Sequence, residues 1–130
     1  MIQSYGLSHI QLTVSDLERS IRFYQQVFGM EELCRLGPHS IMLRTPGTHE
    51  VFTLNAHPDG VLLAGQMGGI AHFGFRLQEE LDVPVLLDKV AHAGGKALEH
   101  GRRGKDKGES YLFLSDPDGY EVELFWMPSE

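Results

Sequence analysis

Two histidines recur at matching places in the two halves of this sequence, and a glutamate lies in the closing segment of the second half. His9 is the third residue of the segment LSHIQLTV, His72 is the third residue of IAHFGFRL, and Glu123 lies in the closing segment YEVELF. Two imidazoles and one carboxylate suit an octahedral Fe(II) or Mn(II) ion and leave positions open for water, substrate or O₂. Each histidine taken alone is more typical of a hydrogen-bonded structural role, so the indication of a metal centre comes from the joint pattern.

The two segments that carry the histidines alternate apolar and polar residues, which predicts half-buried strands over 7–14 and 70–77. Phe73, Phe75 and Leu77 form the apolar face of the second strand, which reads as a buried strand. Each histidine then lies on the polar face of its strand, with Gln11 and Thr13 beside His9, and Gly74 and Arg76 beside His72.

A helix is predicted after each of these strands. The first follows SDLERSIRFYQQVFG, in which Ser15 and Glu18 have capping-box spacing and Gly29 terminates the run. The second follows LDVPVLLDKVAHAGG, with Asp82 as its cap and Pro84 in the first turn.

Three strand-like segments follow each helix, over about 30–36, 40–44 and 51–55, and then 97–100, 110–115 and 121–126, with a longer loop over 101–109 in the second copy. The pattern is β-α-β-β-β twice, over about 5–60 and 68–126. It predicts one α+β domain over residues 1–130, whose mixed sheet curls around a metal cleft.

The closing strands can be aligned with each other, which places Thr53 of the first copy at the position of Glu123 in the second. Glu121 shares a strand face with Glu123 and is a rival ligand, although the repeat register favours Glu123. Four residues share the registers that face the cleft, and we expect them to contact substrate: Gln11, Thr53, Asn55 and Arg76.

Composition restricts the classes of partner. A net charge of −7 argues against nucleic acid, which favours clustered basic residues. The basic run over 102–107 is expected to be a solvated loop. No stretch approaches the ~20 apolar residues of a membrane span, and the single cysteine, Cys34, cannot form an internal disulfide. We therefore expect a cytoplasmic protein that binds a small molecule and neither nucleic acid nor membrane.

Three stretches, LSHIQLTVSDLERSIRFYQQVFGM, GGIAHFGFRL and LFLSDPDGYEVELFW, resemble the vicinal oxygen chelate superfamily. Glyoxalase I, bleomycin-resistance proteins, extradiol dioxygenases and fosfomycin-resistance enzymes are members. The resemblance implies paired βαβββ modules, often in dimers, and hence a homodimer here. It also implies His9, His72 and Glu123 as the three ligands of a divalent metal, with Fe(II) or Mn(II) favoured and Ni(II) or Zn(II) possible.

Departures from the family patterns distinguish among the members. Thr53 stands where glyoxalase I is expected to supply a fourth ligand, and Gln11 and Leu112 stand where fosfomycin-resistance enzymes have a Thr and a Tyr. Bleomycin-resistance proteins generally lack the metal ligands that are present here. Extradiol dioxygenases use a second-shell His and a Tyr, for which His100 and Tyr111 are the nearest candidates.

The resemblance therefore implies an extradiol-dioxygenase-like, metal-dependent enzyme. The alternatives are a fosfomycin-resistance-like thiol transferase or hydrolase, and a non-catalytic small-molecule binding protein of the bleomycin-resistance type.

Overall fold

The computed structural model describes residues 1–61 and 64–129 and divides the chain into two compact units, Met1–Val61 and Leu62–Glu130. The elements of the first unit are β1 (His9–Val14), α1 (Leu17–Phe28), β2 (Glu31–Arg35), β3 (Ser40–Arg44) and β4 (Val51–Ala56). They form a four-stranded sheet in the order β1-β4-β3-β2, in which β1 and β4 are parallel and the other pairs are antiparallel.

The second unit repeats this arrangement. Its elements are β5 (Phe73–Arg76), α2 (Val83–His92), β6 (Lys96–Arg103), β7 (Glu109–Ser115) and β8 (Glu121–Trp126), with short 3₁₀ turns at Gly65–Gly68 and Lys105–Lys107. The strand order is β5-β8-β7-β6, again with one parallel pair, β5 and β8. The predicted α+β architecture of two tandem βαβββ modules is confirmed, and each module forms its own mixed sheet. The single domain and the cleft remain predictions.

Strand register confirms the alignment of the two copies. Gln11 lies opposite Thr53 in the β1–β4 pair, and Gly74 lies opposite Glu123 in the β5–β8 pair. The closing strands β4 and β8 also have the same sequence of buried and half-buried positions, and Thr53 and Glu123 are both buried. A threonine hydroxyl and a glutamate carboxylate thus occupy equivalent places in the two modules.

The core of the first unit lies between α1 and its sheet. Tyr24 of α1 is fully buried, and its ring centroid lies 4.7 Å from that of Phe52 on β4. Burying aromatic and aliphatic side chains of this size contributes roughly 1.5–3 kcal/mol each. In the second unit the corresponding face holds Leu112, Leu114, Val122 and Leu124. The opposite face of the second sheet carries Glu123 together with aromatic residues, among them Tyr111 and Phe113.

Helix termini agree with the sequence except at one cap. Asp16, not Ser15, caps α1, because its side chain accepts a hydrogen bond from the Arg19 backbone N–H at 3.1 Å. Ser15 is used elsewhere, since its hydroxyl accepts from the Val61 backbone N–H. Gly29 ends α1 in the left-handed conformation, and Asp82 caps α2, both as predicted. None of the helices among residues 1–61 and 64–129 is long and apolar enough to cross a membrane.

Two predicted boundaries in the second unit are wrong. β5 begins at Phe73, where its ladder with β8 starts, so His72 precedes the strand, and Phe73 and Phe75 are half-buried rather than buried. β6 continues to Arg103, because its pairing with β7 extends as far as Arg103 and Glu109. A bulge between Ala97 and His100 interrupts the alternation that the sequence analysis followed. The long loop expected over 101–109 is therefore shortened to residues 104–108.

A close backbone approach explains the glycine in β5. A Cβ atom on Gly74 would lie 3.0 Å from the Glu123 carbonyl oxygen and 3.2 Å from the Glu123 Cβ. The φ angle of Gly74 is outside the left-handed region, so the requirement is space and not backbone conformation. Gly74 thus allows β8 to bring Glu123 close to β5.

We predict that Gly74→Ala lowers the free energy of unfolding by about 1–3 kcal/mol, because the added methyl group pushes against the backbone of β8. Urea denaturation would measure the change. Gly108→Ala is the matched control, since a Cβ there would meet its nearest atom, the Lys105 carbonyl oxygen, at 3.4 Å and with an ordinary φ of −79°. Equal effects of the two substitutions would contradict the prediction.

Candidate metal and substrate site

His72 and Glu123 face each other on the polar side of the second sheet. The Nε2 atom of His72 lies 3.6 Å from Oε2 of Glu123. The Glu123 side chain is 10% exposed, whereas that of His72 is 45% exposed. The edge of the His72 ring meets Phe113 on β7, with the ring centroids 5.0 Å apart. Two of the three predicted metal ligands therefore lie together.

The separation of these two atoms fits a shared metal ion. Metal–nitrogen and metal–oxygen bonds of about 2.0–2.2 Å place two ligand atoms on the same ion roughly 3–3.6 Å apart. An imidazole nitrogen and a carboxylate oxygen are also the donors expected for Fe(II), Mn(II) or Zn(II). The geometry of the second unit is thus compatible with a divalent ion held by His72 and Glu123.

His9 belongs to the first unit. Its Nδ1 atom lies 3.0 Å from the Ser8 hydroxyl, so this contact does not involve Nε2. Across residues 1–61 and 64–129, no group of three His, Cys, Asp or Glu side chains is gathered as a metal site. The three-ligand set of His9, His72 and Glu123 stays a prediction.

The second oxygen of Glu123 has a partner that the sequence analysis missed. The guanidinium group of Arg103, at the end of β6, donates a hydrogen bond to Oε1 of Glu123. The same guanidinium lies over two aromatic rings, 4.8 Å from the centroid of Tyr111 and 5.1 Å from that of Phe125. The basic run is exposed, as expected, but Arg103 also contacts the candidate site and Arg102 pairs with Glu80.

The two candidates for proton transfer, His100 and Tyr111, lie on β6 and β7. The Tyr111 hydroxyl donates a hydrogen bond to Oε1 of Glu99 at 2.8 Å. This bond stabilises the neutral phenol and is the main reason that the pKa of Tyr111 is raised above its usual value. His100 is exposed and lies opposite Leu112 in the β6–β7 ladder. Tyr111 is thus connected to the Glu123 site through Arg103.

The predicted substrate-binding residues are divided between the units. In the first, Gln11 is exposed opposite the buried Thr53, and Asn55 is half-buried opposite Thr13. In the second, Arg76 is exposed and lies opposite Phe125. Arg76 therefore belongs to the strand pair that carries Glu123, while the other three belong to the first sheet.

A strand signal could have identified Arg103. In the stretch EHGRR the residues Glu99, Gly101 and Arg103 alternate on one face of a continued strand. Gly101 permits this face to be occupied by an aromatic ring, since a Cβ there would lie 3.2 Å from the Tyr111 hydroxyl. The glycine and the basic residues instead suggested a loop.

Comparison with known proteins identifies relatives of several activities. The chain is 28% identical to catechol-2,3-dioxygenase of Bacillus subtilis, over 92% of this chain and 40% of that protein. It is 31% identical to glutathione transferase FosA of Serratia marcescens, over 95% of this chain and 81% of that protein. The chain spans about two fifths of the length of the dioxygenase and glyoxalase relatives that it matches.

Solved structures share the fold. A glyoxylase/bleomycin resistance protein/dioxygenase domain from Frankia superposes with a TM-score of 0.77 at 25% identity, covering 97% of this chain and all of that one. A FosX variant from Listeria monocytogenes, solved with Mn(II) and a dihydroxypropylphosphonic acid, has a TM-score of 0.73 at 23% identity, over 94% of this chain and 90% of that one. A family model matches residues 6–124, and the chain belongs to the Glyoxalase/Bleomycin resistance protein/Dioxygenase superfamily.

Proposed function

We propose that this chain is a divalent-metal-dependent enzyme that acts on a small substrate with two chelating oxygens. The observation that carries the proposal is the approach of His72 Nε2 to Glu123 Oε2 at 3.6 Å on a partly aromatic sheet face. His9, His72 and Glu123 hold the ion, with Fe(II) or Mn(II) favoured and Ni(II) or Zn(II) as the further possibilities. The enzyme works as a homodimer.

The side chains around the pair define what the site binds. The bound metal would act as a Lewis acid on substrate oxygens. Phe113 lies beside His72, and Tyr111 lies beside Phe113, with ring centroids 5.9 Å apart. These rings offer an apolar surface to a flat substrate, and Arg76 offers a positive charge at the end of β5.

Extradiol cleavage of a catechol ring is the reaction we propose first. Three protein ligands leave positions for two adjacent substrate oxygens and for O₂, and the aromatic wall suits the substrate ring. Catechol-2,3-dioxygenase and a manganese-dependent 2,3-dihydroxybiphenyl 1,2-dioxygenase are among the relatives. The hydrogen bond to Glu99 raises the pKa of Tyr111, so its phenol would not act as a base at neutral pH.

A second candidate is thiol transfer or hydrolysis of an epoxide of the fosfomycin type. It is favoured by the 31% identity to glutathione transferase FosA, over 81% of that protein. Arg76 and Arg103 supply the positive charge that a phosphonate requires. Gln11 and Leu112, which replace the Thr and Tyr expected in that class, argue against it.

We predict that the wild-type protein, purified without chelators or a metal-affinity tag, binds about one equivalent of Fe(II) or Mn(II) per chain. His9→Ala, His72→Ala and Glu123→Gln should each weaken binding by more than the about 10–100-fold that loss of a second-shell partner costs. Anaerobic calorimetric titration would measure this. His92→Ala, at the exposed end of α2, is the control and should bind as the wild type does.

If the protein takes up no Fe(II), Mn(II), Ni(II) or Zn(II), the proposal of a metal-dependent enzyme is wrong. Binding of a small molecule that is unaffected by His9→Ala would then favour the non-catalytic role.

The reaction is tested by oxygen uptake. We predict that the Fe(II)-loaded protein consumes O₂ with at least one member of a catechol panel and that His72→Ala abolishes the uptake. The parallel assay supplies Mn(II), fosfomycin and either a thiol or water. If the protein opens the epoxide but consumes no O₂ with any catechol, ring cleavage is wrong and thiol transfer or epoxide hydrolysis becomes the proposed reaction.

The state of Tyr111 gives a further prediction. Glu99→Gln should lower the pKa of Tyr111 towards its usual value of about 10, because the carboxylate no longer stabilises the neutral phenol. Tyrosinate absorbance, with Tyr111→Phe subtracted, would follow this group alone. The raised pKa also means that the contact stabilises the fold below pH ~10 and that this contribution is lost as the pH rises through the pKa of Tyr111. An unchanged titration in Glu99→Gln would contradict the assignment.

A further inference from the structure

We infer that Arg103 is a positioning residue that makes Glu123 a one-oxygen ligand by occupying Oε1 and directing Oε2 towards His72. The inference rests on the proposed metal site and assigns a role to a residue outside its ligand set. The two oxygens of Glu123 have different partners: Oε1 accepts from Arg103, and Oε2 lies 3.6 Å from His72 Nε2. A carboxylate held in this way presents a single oxygen to an ion beside His72.

The guanidinium of Arg103 is itself held in place. It lies over the rings of Tyr111 and Phe125, which are opposite each other in the β7–β8 ladder. Tyr111 is in turn fixed by its hydrogen bond to Glu99, and it lies so close to Gly101 that a Cβ atom there would be 3.2 Å from the Tyr111 hydroxyl. A planar guanidinium can stack on rings and donate to a carboxylate together, which an ammonium group cannot do as well.

The neighbouring pair shows what an ordinary surface contact looks like in this unit. Arg102 pairs with Glu80, and both side chains are about half exposed, at 53% and 45%. In the other pair Arg103 is 43% exposed but Glu123 only 10%. Exposed pairs contribute little to stability, whereas removing the partner of a buried carboxylate is strongly destabilising.

The positive charge of Arg103 has a second effect, of opposite sign. A cation close to the site repels a divalent ion, so repulsion alone predicts tighter metal binding when Arg103 is removed. Orientation predicts weaker binding, because Glu123 loses its fixed rotamer and can turn either oxygen, or both, towards the ion. We expect orientation to dominate, since the guanidinium is partly exposed and solvent screens its charge.

The test compares Arg103→Gln with Arg102→Gln in the full chain. Mn(II) affinity is measured from the electron paramagnetic resonance signal of free Mn(II), and the Co(II) absorption spectrum reports coordination. Arg103→Gln should bind Mn(II) about 10–100-fold more weakly. Its Co(II) absorption bands should also be weaker, because a carboxylate that binds through both oxygens raises the coordination number of the ion, and the bands weaken as that number rises. Arg102→Gln should match the wild type in both measurements.

Arg103→Lys provides the conservative variant if Arg103→Gln does not fold. Its ammonium can donate to Oε1 but does not stack between the rings, so its affinity should fall between those of the wild type and Arg103→Gln. The inference is wrong if the Arg103 variants bind Mn(II) as tightly as the wild type and give the same Co(II) spectrum. It is also wrong if they bind Mn(II) more tightly. If the wild type binds no metal at all, the proposed function fails instead, and the two failures are thereby separated.

Discussion

A buried carboxylate has to be compensated, and the polar face of the second unit is arranged around this requirement at Glu123. Removing a charge from water costs several kcal/mol in proteins unless partners restore the interactions. Arg103 of β6 supplies the compensating charge at one oxygen of Glu123, and His72, the residue before β5, lies 3.6 Å from the other oxygen. The strand order β5-β8-β7-β6 puts β8 next to β5, so Glu123 lies beside the strand that follows His72. Sheet topology and charge compensation therefore serve the same site.

Two glycines provide the space for this arrangement. Gly74 lets the backbone of β8 approach β5 at Glu123, and Gly101 lets the ring of Tyr111 lie against β6. Glycine inside a strand weakens it, and its presence commonly indicates a close approach of backbone or side chain. Both glycines affect the position of Glu123. Gly74 lies directly against Glu123, whereas Gly101 lies against Tyr111, whose ring lies under Arg103, the partner of Glu123.

Most of the fold could be predicted because the sequence is repeated. The alignment of Thr53 with Glu123 followed from apolar alternation, and the strand registers reproduce it. The role of Arg103 could not be predicted in the same way, since a bulge in β6 shifts the alternation between Ala97 and His100. The alternation of apolar and polar residues does not reveal a bulge. The bulge sets the strand register, and the register decides which side chain on the next strand a residue meets. The ligand role proposed for His9, which belongs to the first unit, follows from none of these registers.

The difference between Thr53 and Glu123 has an electrostatic consequence for the proposed site. Equivalent positions carry a neutral hydroxyl in the first module and a carboxylate in the second. Two neutral imidazoles and one carboxylate would leave a divalent ion with a net positive charge, and Arg103 offsets the charge of that carboxylate. A second carboxylate at the position of Thr53 would lower this positive charge by one unit. The ligand set is therefore suited to substrates that bring negative charge on their own oxygens, a property that catecholates and phosphonates share and that neutral carbonyl compounds lack.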